Sequence, residues 1–192
     1  MSVLKKVLIG CGALIFLSTI AVVIVSYYGY TKLKEGYSQD PVHVEEVARS
    51  IMDYEFPESK GLGSVEFGFK GAMLVDKLEQ PGTMLILLSF PSSWPDYVVK
   101  NIQEESHKVT SEGPEHIEVK SVTKEERTLC DQKVEVVITE GITKNAEQQL
   151  PVTFFQTSLT HKDNLLVPFV MAASDNSKEK AESIFNSLKC KE

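Results

Sequence analysis

From Val7 to Tyr30 the chain runs for 24 residues without a single charged side chain. A helix needs about 20 apolar residues to cross the hydrocarbon core of a bilayer. Only a helix satisfies every backbone N–H and C=O within one such run. The segment VLIGCGALIFLSTIAVVIVSYYGY follows Lys5 and Lys6 and closes on Tyr27, Tyr28 and Tyr30. Tyrosine rings suit the headgroup level, where the hydroxyl stays wet. The reading is a tail over residues 1–6, a transmembrane helix over 7–30, a juxtamembrane linker over 31–40 and a soluble domain over 41–192. A cleaved signal peptide is the rival, but its apolar stretch spans about 7–15 residues and ends at a small-residue site. The one passable site, Thr19-Ile20-Ala21, is followed by more membrane core. Leu8-Ile9-Gly10-Cys11 looks like a lipobox, yet only Val7–Gly10 precede the cysteine as an apolar region, so Cys11 reads as a small residue inside the helix.

Lys5 and Lys6 flank one end of the run, and Lys32 and Lys34 the other. The positive-inside count is nearly balanced. A short tail with two lysines favours the N-terminus inside and the domain outside the cytoplasm of a bacterial inner (plasma) membrane. All 27 acidic residues lie beyond residue 30, against 18 of the 20 basic ones, so the remainder carries a net charge of −9. That argues against nucleic acid, whose phosphates require a basic face, and against a polybasic lipid-binding surface. Outside the apolar run only Cys130 and Cys190 remain. An oxidising compartment is consistent with pairing them. Their spacing leaves a disulfide and two unpaired thiols both open.

Asp40 is placed to cap a helix, with Pro41 at its first position and Val44, Val47, Ala48 and Ile51 on one face. From Ser64 the period becomes two, with Val65, Phe67 and Phe69 alternating against Glu66, Gly68 and Lys70. Gly71 is read as a tight turn into a second strand, 72–79, and Pro81-Gly82 as a type II turn. Met84–Leu88 is continuously apolar, as in a central strand covered on both faces. Ser93-Trp94-Pro95-Asp96 opens a helix to about Lys108. Strand-like runs follow at 116–128, 132–142, 150–161 and 165–173, with Lys162-Asp163-Asn164 as a turn and Pro168 suggesting an edge or bulge. Asn176 caps a last helix with Ala181, Ile184, Phe185 and Leu188 inward. Strands joined by short turns pair antiparallel. The fold class is α+β, a mainly antiparallel sheet of about six or seven strands flanked by helices.

The phrases VEFGFKGAML, MLILLSFPSSWPDYV, VEVVITEG, VTFFQTSLT and EKAESIFNSLK, in this order, resemble the PsbP and Mog1-like α/β/α sandwich over residues 55–190. The opening phrase DPVHVEEVARSIMDYEFPE behind an anchor is similar to uncharacterised single-pass bacterial membrane proteins. Characterised members of the fold mostly bind other proteins and lack catalysis. The resemblance therefore implies an interaction module.

Chemistry-bearing residues are scattered. His43, His107, His116 and His161 form neither HExxH nor HxH. His116 with Glu118 is read as an exposed polar strand face. Glu45/Glu46, Glu104/Glu105 and Glu125/Glu126 are sequence neighbours that diverge in direction and do not face one substrate. Ser64 and Ser158 lack a nucleophile elbow. Asp131 beside Cys130 disfavours a thiolate. Gly61, Gly63, Gly68 and Gly71 read as strand and turn glycines, with no phosphate-loop lysine after them. Trp94 is placed in the core. The expectation is a non-enzymatic, membrane-tethered protein-binding or assembly module without cofactor, with the lipid bilayer and a protein as partners. A small-ligand or lipid-binding extracytoplasmic domain is the alternative, and an enzyme without recognisable motif the third reading.

Overall fold

The computed structural model describes residues 36–76, 82–95, 97–98, 100–101, 117–143 and 149–191. The expected transmembrane helix, Pro81 of the Pro81-Gly82 turn, the helix beyond Asn101 with Glu104/Glu105, and His107 and His116 lie outside the described residues. Among the described residues no helix is long and apolar enough to cross a membrane.

Among the described residues nine strands form one antiparallel sheet: β1 (Tyr37–Ser38), β2 (Ser59–Glu66), β3 (Lys70–Asp76), β4 (Thr83–Pro91), β5 (Ile117–Leu129), β6 (Gln132–Thr143), β7 (Pro151–Gln156), β8 (Leu159–His161) and β9 (Asn164–Ala173). Their order is β1-β2-β3-β4-β9-β7-β6-β5, with β8 also paired to β9. Two helices among the described residues, α1 (Pro41–Ile51) and α2 (Ser177–Ser187), lie on one face. The sheet exceeds the expected six or seven strands for two local reasons. Tyr37 and Ser38, assigned to the linker, pair with Val65 and Ser64. The run 150–161 breaks at Thr157-Ser158 into β7 and β8.

The centre is the ladder between β4 and β9, nine pairs from Thr83 opposite Ala172 to Pro91 opposite Asn164. Most side chains of both strands are buried, on alternate faces. Leu85, Leu87, Val170 and Ala172 join α1 and α2 in one core. Met84, Ile86, Phe169 and Met171 join Trp94 and Val98 in a second core on the other face. Pro168 does not make β9 an edge: the strand is central. The proline falls where β9's other neighbour changes, between Gln156 opposite Phe169 and Leu159 opposite Leu166. A residue without an N–H is tolerated at such a break.

Local chemistry explains the element ends. Asp40 accepts a hydrogen bond from the Val42 N–H at 3.2 Å, as its place before Pro41 predicts. Asn176 holds the cap position of α2 without a capping bond, because its side-chain oxygen accepts from Ser174 instead. The β2–β3 turn is Phe67–Phe69, where Gly68 takes φ 71°, so Gly71 is a strand residue and not a turn. Cys130-Asp131 and Lys162-Asp163 close the β5–β6 and β8–β9 hairpins with positive φ at both positions, the two-residue geometry that matches strand twist.

The outer strand β5 runs for 13 residues beside β6. Its charges engage in place: Lys124 with Glu135, Glu126 with Lys133, Arg127 with Glu125. A charged edge discourages pairing with another chain. Gly61 lies under α1, and a Cβ there would stand 2.6 Å from the Val44 Cβ and 2.9 Å from the Pro41 carbonyl oxygen. Gly61→Ala is expected to lift α1 from β2 and cost about 1–3 kcal/mol, the usual range for overpacking. Urea denaturation of the variant against the parent measures it.

Candidate functional site

Two regions gather polar chemistry. The first is a cleft of about 410 Å³ at one end of the sheet, lined by Ser50, Glu66, Phe67, Gly68, Phe69, Lys70, Ser89, Pro91 and Asn164. Five elements, α1, β2, β3, β4 and β9, and the β2–β3 turn meet there. The short β2–β3 turn sets Glu66 opposite Lys70, with Lys70 Nζ 3.8 Å from Glu66 Oε1. Helix α1 packs along β2 and β3, so its last turn presents Ser50, whose Oγ accepts from Lys70 Nζ at 3.1 Å. The same flank of α1 carries His43, with Nε2 3.6 Å from Glu66 Oε2 and Nδ1 3.9 Å from Glu46. Ser89 stands opposite Lys70 across the β3–β4 ladder, and Asn164 stands opposite Pro91. Phe69 stacks on Phe90 at 5.2 Å and meets Trp94 edge-on at 5.9 Å, which gives the turn an aromatic support. Glu66 and Lys70 remain nearly half exposed. Exposed ion pairs are worth about 0–1 kcal/mol, so exchanging this contact for a ligand costs little.

The second region is a clasp at the C-terminus. Cys130 in the β5–β6 turn is bonded to Cys190, with Cα atoms 5.3 Å apart. Lys189 and Asp53 exchange backbone hydrogen bonds at 2.9 Å each. Ser187 Oγ accepts from the Glu55 N–H at 2.9 Å, and His161 Nε2 lies 3.1 Å from the Lys191 carbonyl oxygen. Three separate segments therefore hold residues 187–191.

Between α2 and the β5–β6 hairpin lies a charged seam. Arg127 reaches Glu125 and Glu182, each at 2.8 Å, and covers the Phe155 ring at 5.1 Å. Glu140 pairs with Lys178 at 3.0 Å and accepts from Ser121. The Lys178 ammonium holds the Glu140 carboxyl below its ordinary value. On the far side of α1, burial pushes the Tyr54 hydroxyl up to about 12, although Arg49 lies over its ring.

Among the described residues no group of three or more His, Cys, Asp or Glu side chains is arranged to hold a metal ion. Trp94 is buried as its place on an apolar face implied. Glu45 turns to Arg49 while Glu46 turns to His43, and Glu125 turns to Arg127 while Glu126 turns to Lys133. Sequence reasoning missed the cleft. Glu66 and Lys70 were read as the polar face of one strand, and no spacing links them to Ser50 or Asn164.

Neither a protein-family model nor a curated protein sequence matches the chain. Among solved structures, it is similar to LpqN of Mycobacterium tuberculosis, whose structure is described as involved in cell envelope biogenesis. The two share 9% identity at a TM-score of 0.40, over 71% of this chain and 76% of that one.

The loop closed by the disulfide spans 60 residues. Chain-entropy reasoning gives a loop of this length about 4 kcal/mol, with measured losses of about 2–5 kcal/mol for native bridges. Cys130→Ser with Cys190→Ser is expected to lower folding stability by that amount in guanidinium denaturation. The Glu140 pKa is depressed, so its contribution is present above the unfolded value of about 4.3 and fades as pH falls through the folded one. Glu140→Gln is expected to lower the melting temperature slightly at neutral pH, with the difference from the parent closing as pH falls below about 4.3, so that the acid limb of the variant's profile is flatter.

Proposed function

We propose that the chain is a single-pass membrane protein whose acidic α+β domain stands outside the cytoplasm as a non-enzymatic binding or assembly module. The observation that carries this reading is the Cys130–Cys190 bond. Disulfides persist in oxidising compartments and are rare in the reducing cytosol. The uncharged run of residues 7–30 supplies the tether. A tether raises the effective concentration of a partner on the same membrane, so weak surface contacts suffice for assembly. The scattered ion pairs of β5 and α2 keep such a domain soluble and resist sheet-to-sheet pairing.

The cleft beside α1 favours a second reading, a small-ligand or lipid-binding domain. Its volume of about 410 Å³ falls in the range of ligand sites, roughly 300–1,000 Å³.

Topology is measured in spheroplasts on a Cys11→Ser background with a membrane-impermeant maleimide. The expected result is labelling of the domain only after an impermeant reductant is added. Labelling without reductant, or only after lysis, overturns the outside placement. Crosslinking in cells followed by mass spectrometry is expected to recover a stoichiometric membrane or envelope protein, and a bare chain shifts weight to the ligand reading.

A further inference from the structure

Gly36 is the first described residue after the apolar run, and it lies against the rim of the cleft. A Cβ on Gly36 would stand 2.7 Å from the Phe67 ring and run into the Glu66 carbonyl oxygen. Glu66 and Phe67 both line the cleft. Only residues 31–35 separate Gly36 from Tyr30. At about 3.3–3.6 Å per residue that stretch spans roughly 20 Å at most. Strand β1 then fixes the direction of the chain, because Tyr37 and Ser38 are paired to Val65 and Ser64. The rim of the cleft is therefore no more than roughly 20 Å of chain from any bilayer that residues 7–30 occupy, short enough for the domain to settle with the cleft against the headgroups.

Its chemistry selects among headgroups. Lys70 offers an ammonium and Glu66 a carboxylate 3.8 Å away, with the Ser50 hydroxyl on Lys70 and Ser89 and Asn164 on the walls. A plain anion meets Glu66, and a plain cation meets Lys70. A zwitterion that places phosphate on Lys70 and a primary ammonium on Glu66 satisfies both, with charge-assisted hydrogen bonds at each end. A quaternary ammonium has no N–H to give Glu66.

We infer that this cleft is a site for a phosphate–primary-amine zwitterion, supplied by an ethanolamine phospholipid of the chain's own bilayer. The site rests on the membrane-anchored reading above. It adds a lipid ligand to a domain whose overall charge argues against a polybasic lipid-binding surface, since the contact is made by Lys70 and by Glu66, which His43 also faces at 3.6 Å, and not by a basic patch.

The test places full-length protein carrying a photoreactive phenylalanine analogue at Phe67 in nanodiscs. The discs contain phosphatidylcholine with either phosphatidylethanolamine or phosphatidylglycerol. A matched protein carries the analogue at Val122, an exposed position on the opposite edge strand. Position 67 is expected to capture phosphatidylethanolamine at least about fivefold over the other two lipids, and position 122 to capture little. Lys70→Gln and Glu66→Gln are each expected to abolish the preference while leaving the melting temperature within a few degrees. Soluble glycerophosphoethanolamine is expected to compete and to shift the emission of Trp94, the one tryptophan, which lies against Phe69. Competition at micromolar concentration assigns the site to the free headgroup as well; competition only at high millimolar concentration assigns it to the membrane lipid. Equal capture of all three lipids means nearness to the bilayer and no site, and overturns the inference, as does capture of none. Carbonate extraction of native membranes separates the two readings: a chain released into the wash removes the anchor itself, whereas a chain that stays in the pellet but shows no preference removes only the headgroup site.

Discussion

The nine-pair ladder between β4 and β9 is the constraint on which the other elements depend. Both strands are apolar on nearly every position, so neither face of the sheet's centre can be left to water. At about 25 cal/mol per Å² of apolar surface, exposing either side would cost more than a domain's whole stability margin. The two helices on one face and the Trp94–Val98 segment on the other answer that demand. The outer strands are then free to be polar. β5 and the flank of α2 carry their charges where no second layer is required.

Elements were legible in the sequence where one local signal was sufficient. Asp40-Pro41 with its following apolar stripe marks α1, and the unbroken run Met84–Leu88 marks a strand buried on both sides. Elements defined by partners were not legible. Two residues, Tyr37 and Ser38, carry no period; only β2 makes them a strand. Phe67-Gly68-Phe69 continues the alternation of β2 although the chain reverses there, because both rings turn toward the same core after the turn as before it. Thr157 and Ser158 look like strand, yet Thr157 gives its hydroxyl to the Glu135 carbonyl and ends the ladder. The Cys130–Cys190 pairing was left open by spacing, since proximity across 60 residues depends on how the C-terminal segment docks after α2.

The cleft illustrates a general limit of linear reading. Its polar groups come from the end of a helix, both arms of a hairpin and the ends of two central strands. None has a signature alone. Their convergence follows from antiparallel order: the strand ends at β2–β3, β4 and β9 fall at the same pole of the sheet, and α1 runs back to that pole.

Strand β1 also determines how the molecule carries load. Any tension on the residues before Gly36 enters the domain through two paired residues at the outermost position of the sheet. A two-residue contact yields well before the long ladders behind it, while α1 stays seated on its own apolar face. The joint is thus a mechanical fuse. Under a pull on those residues β1 would part first, while α1 and the longer ladders behind it keep the core together.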